Sequence, residues 1–311
     1  MLQLNSDLIS LGDWRNEFIV YTEGVVFKPH GKLVEIKGRN MHVRQMGSGE
    51  KTIVLLSGWG MLLPSVEFAP LMRELSKKYT VCVIEYFGYG HSDSTDTPRT
   101  NDSYTQEIRE ALLAAGLKPP YVLMPYSASG IYAEYYAAKY PNEVEGLILF
   151  DSFSSAEHME NTPREELEEF LISYNTAELS DDEFSDFFGE YLPHGYTEDE
   201  TREIFTIGNH IDTLRAQYLA LPANVAEVMS MDIQLGKAIP ILALHSAISD
   251  EEDVTQDDIN GHEQYIKRHL EKLGEVKRHR VIENSSHQDI YNNGNFRKLI
   301  CEEVETFVDN L

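Results

Sequence analysis

The chain has 311 residues, with 26 Lys and Arg against 52 Asp and Glu, a net charge of −26 and a pI of about 4.7. A hydrophobic share of 42% beside 25% charged residues can fill a core, which excludes a disordered, fibrous or collagen-like chain. The shortage of Lys and Arg argues against a nucleic-acid partner and against docking on an anionic membrane surface, because both need clustered cations.

Two cysteines cannot build a disulfide framework and match no zinc spacing. Cys82, in an apolar strand-like run, and Cys301, in a helical pattern, read as buried reduced thiols. The N-terminal MLQLNSDLISLGDWRNEF carries acids early and lacks a basic segment followed by an apolar run. It does not read as a signal peptide, no membrane span is visible, and the expected location is cytoplasmic.

Along the chain, Leu33 to Met46 reads as two short strands around a turn at Gly38-Arg39-Asn40. Thr52 to Ser57 (TIVLLS) and Thr80 to Glu85 (TVCVIE) are nearly continuous apolar runs, the pattern of strands buried on both faces. Between them, Ser65 to Lys78 has helical spacing. Ser103 with Gln106 forms a capping-box signal for a helix that Gly116 ends. Tyr121 to Pro125 is a strand, and Ala128 to Lys139 a helix stopped by Pro141. Val144 to Phe150 and Ile239 to His245 are strands, followed by a helix from about Gly261 to Leu273, a last strand at Val276 to Ile282, and a terminal helix with Phe296, Ile300, Val304 and Phe307 on one face. Strands alternating with helices imply an α/β fold with a mostly parallel sheet flanked by helices.

Ser152 to Leu235 breaks the alternation. It has helical segments, no comparable strand, and 19 Asp and Glu against 3 Arg and no Lys, a local charge of 3 − 19 = −16. A helical insertion outside the sheet is expected there, giving a core of residues 1–151 and 236–311 interrupted by 152–235.

The chemistry points to Tyr121-Val-Leu-Met-Pro-Tyr-Ser-Ala-Ser-Gly130. A serine at a sharp strand–helix junction has its hydroxyl forced outward, provided that small side chains stand two positions before and after it. Pro125 and Ser129 flank Ser127 in this way, whereas Ile131 would collide if Ser129 were the nucleophile. His287 follows the last strand and is placed to take the serine proton. An acid to orient it is expected after the Ile239–His245 strand: Asp250 first, then Asp253, with Asp151 at an earlier strand end as the other choice. Donors for an oxyanion are expected from the N–H groups of Ala128, at a helix start, and Trp59, in the Ser57-Gly58-Trp59-Gly60 loop.

Together these residues resemble the α/β-hydrolase superfamily over most of the chain, from about Leu33 to the C-terminus. LLSGWG resembles the family's first buried strand and oxyanion loop, with Ser57 where His is usual. Glu85-Tyr-Phe-Gly-Tyr-Gly-His-Ser-Asp93 resembles its G-x-G-x-S-D loop. Tyr121 to Ala138, closed by Lys139-Tyr-Pro141, resembles its nucleophile elbow and helix, with Pro125 and Ser129 in place of two glycines. Ala247-Ile-Ser-Asp250 stands for the family's Gly-x-x-Asp without its glycine. The resemblance implies that Ser152 to Leu235 is a helical lid.

The expected activity is therefore hydrolysis of a small or medium carboxylic ester through an acyl-enzyme, with Ser127, His287 and Asp250 as the triad and Trp59 and Ala128 as the oxyanion hole. A serine at 127 argues against the dehalogenase and epoxide-hydrolase relatives, which use an Asp nucleophile. A small-molecule substrate is expected, with no metal or organic cofactor. Phe184, Phe187, Phe188 and Tyr191 are candidates to line the pocket, although helix packing is their ordinary role. The alternatives are a serine aminopeptidase, an acyltransferase, and a non-catalytic hydrolase-like receptor or binding module.

Overall fold

Apolar runs that satisfy both faces of a sheet set the architecture. The strands are β1 (Lys32–Ile36), β2 (Arg39–Met46), β3 (Thr52–Leu56), β4 (Thr80–Glu85), β5 (Tyr121–Ser127), β6 (Val144–Ser152), β7 (Ile241–Ser246) and β8 (Arg278–Ile282). They form one eight-stranded sheet in the order β1-β2-β4-β3-β5-β6-β7-β8. Only the two edge pairings, β1 with β2 and β2 with β4, are antiparallel. The others are parallel. The computed structural model describes residues 27–61, 63–152, 163–169, 191–206, 211–231, 234–247 and 255–311.

Helices among the described residues include α1 (Pro64–Glu67), α2 (Ala69–Leu75), α3 (Asn101–Ala114), α4 (Ser129–Lys139), α5 (Glu198–Thr206), α6 (Ile211–Ser230), α7 (Gln256–Leu273), α8 (Asp289–Asn292) and α9 (Gly294–Val308). The strand pleat sends alternate residues to two cores. Val54, Leu56, Cys82, Ile84, Leu123, Leu147 and Leu149 meet Ile108, Ile131, Leu214 and Leu273 from α3, α4, α6 and α7. Ile53, Leu55, Val81, Val83, Met124, Ile148 and Phe150 meet Phe68, Leu71, Ile300 and Val304 from the α1–α2 junction, α2 and α9. Each fully buried Leu, Ile or Phe in these layers contributes roughly 1.5–3 kcal/mol. Cys82 lies in the first core and Cys301 in the second, both free, and burial pushes both thiols up to about 12.

The elements follow the sequence expectations with local differences. The first hairpin turns at Lys37-Gly38, with φ of 53° and 84°, and Arg39 already pairs with Ile36. Two consecutive positive φ values match the twist of a tight hairpin, so the turn sits one residue earlier than expected. The helix expected over Ser65 to Lys78 is broken at Phe68, because Pro70 stands in the first turn of α2 and cannot donate to a continuing helix. The cap of α3 is Thr100 rather than Ser103. Thr100 accepts from the Ser103 N–H while Ser103 receives the Thr100 N–H, so Ser103 is the inner half of the box.

Between β6 and β7 the described residues are helical segments and turns, with no strand. No described helix is long and apolar enough to cross a membrane.

Candidate active site

Parallel strands deliver their C-terminal ends to one edge of a sheet, where ligands of open α/β sheets bind. Ser127 is the last residue of β5, and the next residue, Ala128, has φ −55° and caps α4. The turn is made by Ser127 itself, at φ +55°. A side chain held in that region costs about 1–2 kcal/mol, so its surroundings must impose it. Two neighbours do. The Ser129 hydroxyl, fully buried, points at the carbonyls of both Leu56 and Tyr126 at 2.8 Å, fastening the start of α4 to the ends of β3 and β5. Gly58 passes so close that a Cβ there would lie 2.7 Å from that of Ser127 and 3.0 Å from the Tyr126 ring. Ser129 is thus bound into the turn, while Ser127 remains partly exposed.

His287 arrives from the other end of the chain. Ser285 donates to the Ile282 carbonyl at 2.6 Å, and Ser286 and Asp289 exchange hydrogen bonds that close the loop between β8 and α8. The imidazole stacks on Tyr126, with centroids 4.7 Å apart and planes 18° apart, and the Tyr126 hydroxyl donates to the His287 carbonyl at 2.9 Å. Phe68, Phe150 and Tyr291 surround the same tyrosine. The residue before Ser127 therefore carries the histidine.

The His287 Nδ1 lies 2.7 Å from Asp151 Oδ2. A carboxylate only accepts, so Nδ1 carries the proton and Nε2 is left with its lone pair. Asp151 sits near the end of β6 with φ +47° and a side chain only 5% exposed. The Ser246 N–H donates to its Oδ1 at 2.9 Å and the Ser246 hydroxyl to its Oδ2 at 2.6 Å. Burial alone would raise the Asp151 pKa. The hydrogen bond and charge of His287, with the two bonds from Ser246, outweigh it and hold the group below the ordinary carboxylate range.

Ser127, Ala128, Trp59 and His287 are thus placed at or beside the strand ends of β3 and β5, whereas Asp250 and Asp253 lie outside the described residues. The carboxylate that the structure places on His287 is that of Asp151, one of the three acids the sequence left open. Ser246 and Tyr126 were not singled out by sequence. Their roles depend on which strands are neighbours, and no local pattern marks that.

The loop from Ser57 to Gly60 is tied to the segment that follows β6. The Trp59 indole N–H donates to the Leu214 carbonyl of α6 at 3.0 Å, and its ring packs on Tyr218 with centroids 4.6 Å apart. Farther along α6, Gln217 accepts from the Tyr89 hydroxyl at 2.6 Å. Ala128 opens α4, where a helix leaves its first N–H groups without internal acceptors. Tyr191 packs on Tyr196 beside Leu63, Val66 and Ile204, while Phe184, Phe187 and Phe188 lie outside the described residues. In the loop after β4, the His91 N–H donates to the buried Glu85 at 2.7 Å, and Ser92 donates to its carbonyl at 2.6 Å. Burial would raise the Glu85 pKa, but His42, 3.0 Å away, and His91 hold it below the usual range, so a charged carboxylate braces this loop. Among the described residues, no group of three or more His, Cys, Asp or Glu side chains is arranged to hold a metal ion.

Residues 51–186 match the model of a family described as the alpha/beta hydrolase fold. YbdG of Bacillus subtilis (strain 168), an uncharacterized protein, is 39% identical over 136 residues, which cover 44% of this chain and 42% of YbdG. The human serine hydrolase BPHL is 34% identical over 122 residues, covering 38% of this chain and 41% of BPHL. The matches span less than half the length of these curated relatives. Among solved structures, a thermophilic esterase from Thermogutta terrifontis is similar with a TM-score of 0.60 at 16% identity, covering 88% of this chain and 97% of that one.

Proposed function

We propose that this chain, whose fold is that of the α/β hydrolases, is a serine hydrolase cleaving a small or medium carboxylic ester through an acyl-enzyme. In this reading the Ser127 Oγ attacks the ester carbonyl as His287 Nε2 takes its proton. Asp151, rather than Asp250, holds the ring by Nδ1 and stabilises the imidazolium. The N–H groups of Ala128 and Trp59 receive the developing oxyanion. Collapse expels the alcohol, protonated by His287. Water, deprotonated by the same imidazole, then releases the acid and restores Ser127.

In the same reading residues 152–235 are the lid. The expected location remains cytoplasmic.

The observation that carries the reading is the 2.7 Å contact between Asp151 and a histidine stacked on the residue before Ser127. The test is labelling with a fluorophosphonate, followed by an ester chain-length series run beside aminoacyl anilides. The wild type is expected to label and to turn over short and medium esters, and Ser127→Ala to do neither. Turnover of the anilides alone would replace the esterase reading with an aminopeptidase. Absence of labelling in the wild type would leave a binding module.

A further inference from the structure

Asp151 is held from a strand that the mechanism above does not use. β7 lies beside β6, and its last residue, Ser246, presents two donors to one carboxylate: the N–H to Oδ1 at 2.9 Å and the hydroxyl to Oδ2 at 2.6 Å. Ser246 is 1% exposed, so no water competes freely for that hydroxyl. Oδ2 is also the oxygen that His287 Nδ1 reaches, so the serine hydroxyl and the imidazole share one acceptor. A carboxylate on a single Cβ turns easily about its last torsion. With one Ser246 donor on each oxygen, its plane is fixed, and the direction in which it offers Oδ2 to the imidazole is fixed with it.

We propose that Ser246 is a positioning residue for the triad: its hydroxyl sets the plane of Asp151 and through it the aim of His287 at Ser127. This rests on the Ser127–His287–Asp151 reading. The backbone N–H on Oδ1 survives every substitution at 246 except proline, so the hydroxyl can be removed while the carboxylate keeps one donor. The site then loses alignment without leaving Asp151 bare. Ser246 touches no substrate, and its effect is confined to the rate of the chemical step.

The test is a double-mutant cycle between Ser246→Ala and Asp151→Asn. It is read as the second-order rate of fluorophosphonate labelling, which needs no known substrate, and as kcat and KM on whichever ester turns over. Loss of a hydrogen bond to a charged acceptor predicts a fall of about tenfold in labelling rate and kcat for Ser246→Ala, with KM changed less than about twofold. In the Asp151→Asn background, the same substitution is expected to cost less than about twofold. Equal losses in both backgrounds, or no loss in either, overturn the role of Ser246, since a purely structural serine acts additively. An Asp151→Asn enzyme as fast as the wild type overturns the triad reading beneath it, which separates the two failures. If Ser246→Ala does not fold, Ser246→Cys keeps the size with a weaker donor and is run through the same cycle, with the same two outcomes.

Discussion

The ends of β5 and β6 use the same backbone device for opposite purposes. Ser127 and Asp151 are both non-glycine residues in the left-handed region, at φ of 55° and 47°, on strands that pair with each other. In each case the reversed backbone lifts a side chain off the sheet edge. Around Ser127 the neighbours hold the backbone and leave the residue partly exposed. Around Asp151 they close on the side chain itself, with Ser246 and His287 saturating a carboxylate that is 5% exposed. A nucleophile must be open to substrate. An orienting acid works best where water cannot compete for its charge. The two strand ends show one strained geometry serving accessibility in one place and enclosure in the other.

Removing the charge from the enclosed end is the largest way to break this pairing. Asp151→Asn is expected to lower kcat by ~10³ to 10⁴, because the amide can favour the wrong imidazole tautomer. Asp250→Asn is expected to stay within about twofold of the wild type on the same ester, and reversal of these two results would move the acid to the loop after β7. Crowding the open end comes next. Gly58→Ala would set a methyl 2.7 Å from the Ser127 Cβ. Steady-state kinetics and thermal melts should show about a hundredfold loss of kcat with ~1–3 kcal/mol of destabilisation.

The enclosed side can also be probed by pH. Burial, with smaller contributions from His269, His279 and His262, pulls the His245 pKa down to about 3, against a smaller opposing pull from Asp151. His245 therefore stays neutral in the folded chain while the unfolded chain protonates it near pH 6.5. Its contribution to stability is intact above about 6.5 and is lost progressively as pH falls toward 3. His245→Gln should shrink the stability lost between pH 7.5 and 5.0 by about 2 kcal/mol in urea titrations. A smaller loss is expected from Ser129→Ala, which releases the start of α4 from Leu56 and Tyr126. It should cost ~1 kcal/mol of stability and only a few-fold in kcat.

The parts of the fold that sequence reveals are those decided locally. TIVLL and TVCVIE are apolar throughout and become β3 and β4, fully buried along their length. The tight turn at Ser127 is legible because such a turn demands small flanking residues, and the structure puts Ser129 and Gly58 in the tight places. Thr100 and Pro70 shift element ends for reasons a periodic pattern does not weigh, one through a side-chain cap and one through a missing donor. The contact of Asp151 with His287 was not legible, because it depends on β6 lying between β5 and β7, so that its end meets both Ser246 and the loop bearing His287. Tyr126 was hidden for the same reason, since its contact with His287 joins residues 161 apart in sequence.

The two thiols, buried on opposite faces of the sheet, give the molecule a pair of internal clocks. With both pushed up to about 12, neither Cys82 nor Cys301 offers a thiolate at neutral pH until its own layer opens to solvent. A disulfide reagent added under mild denaturant therefore times the opening of each layer separately, Cys82 for the side covered by α3 and α4 and Cys301 for the side covered by α9. Equal reaction rates mean that the two sides come apart in one cooperative event, and unequal rates show which layer peels away first.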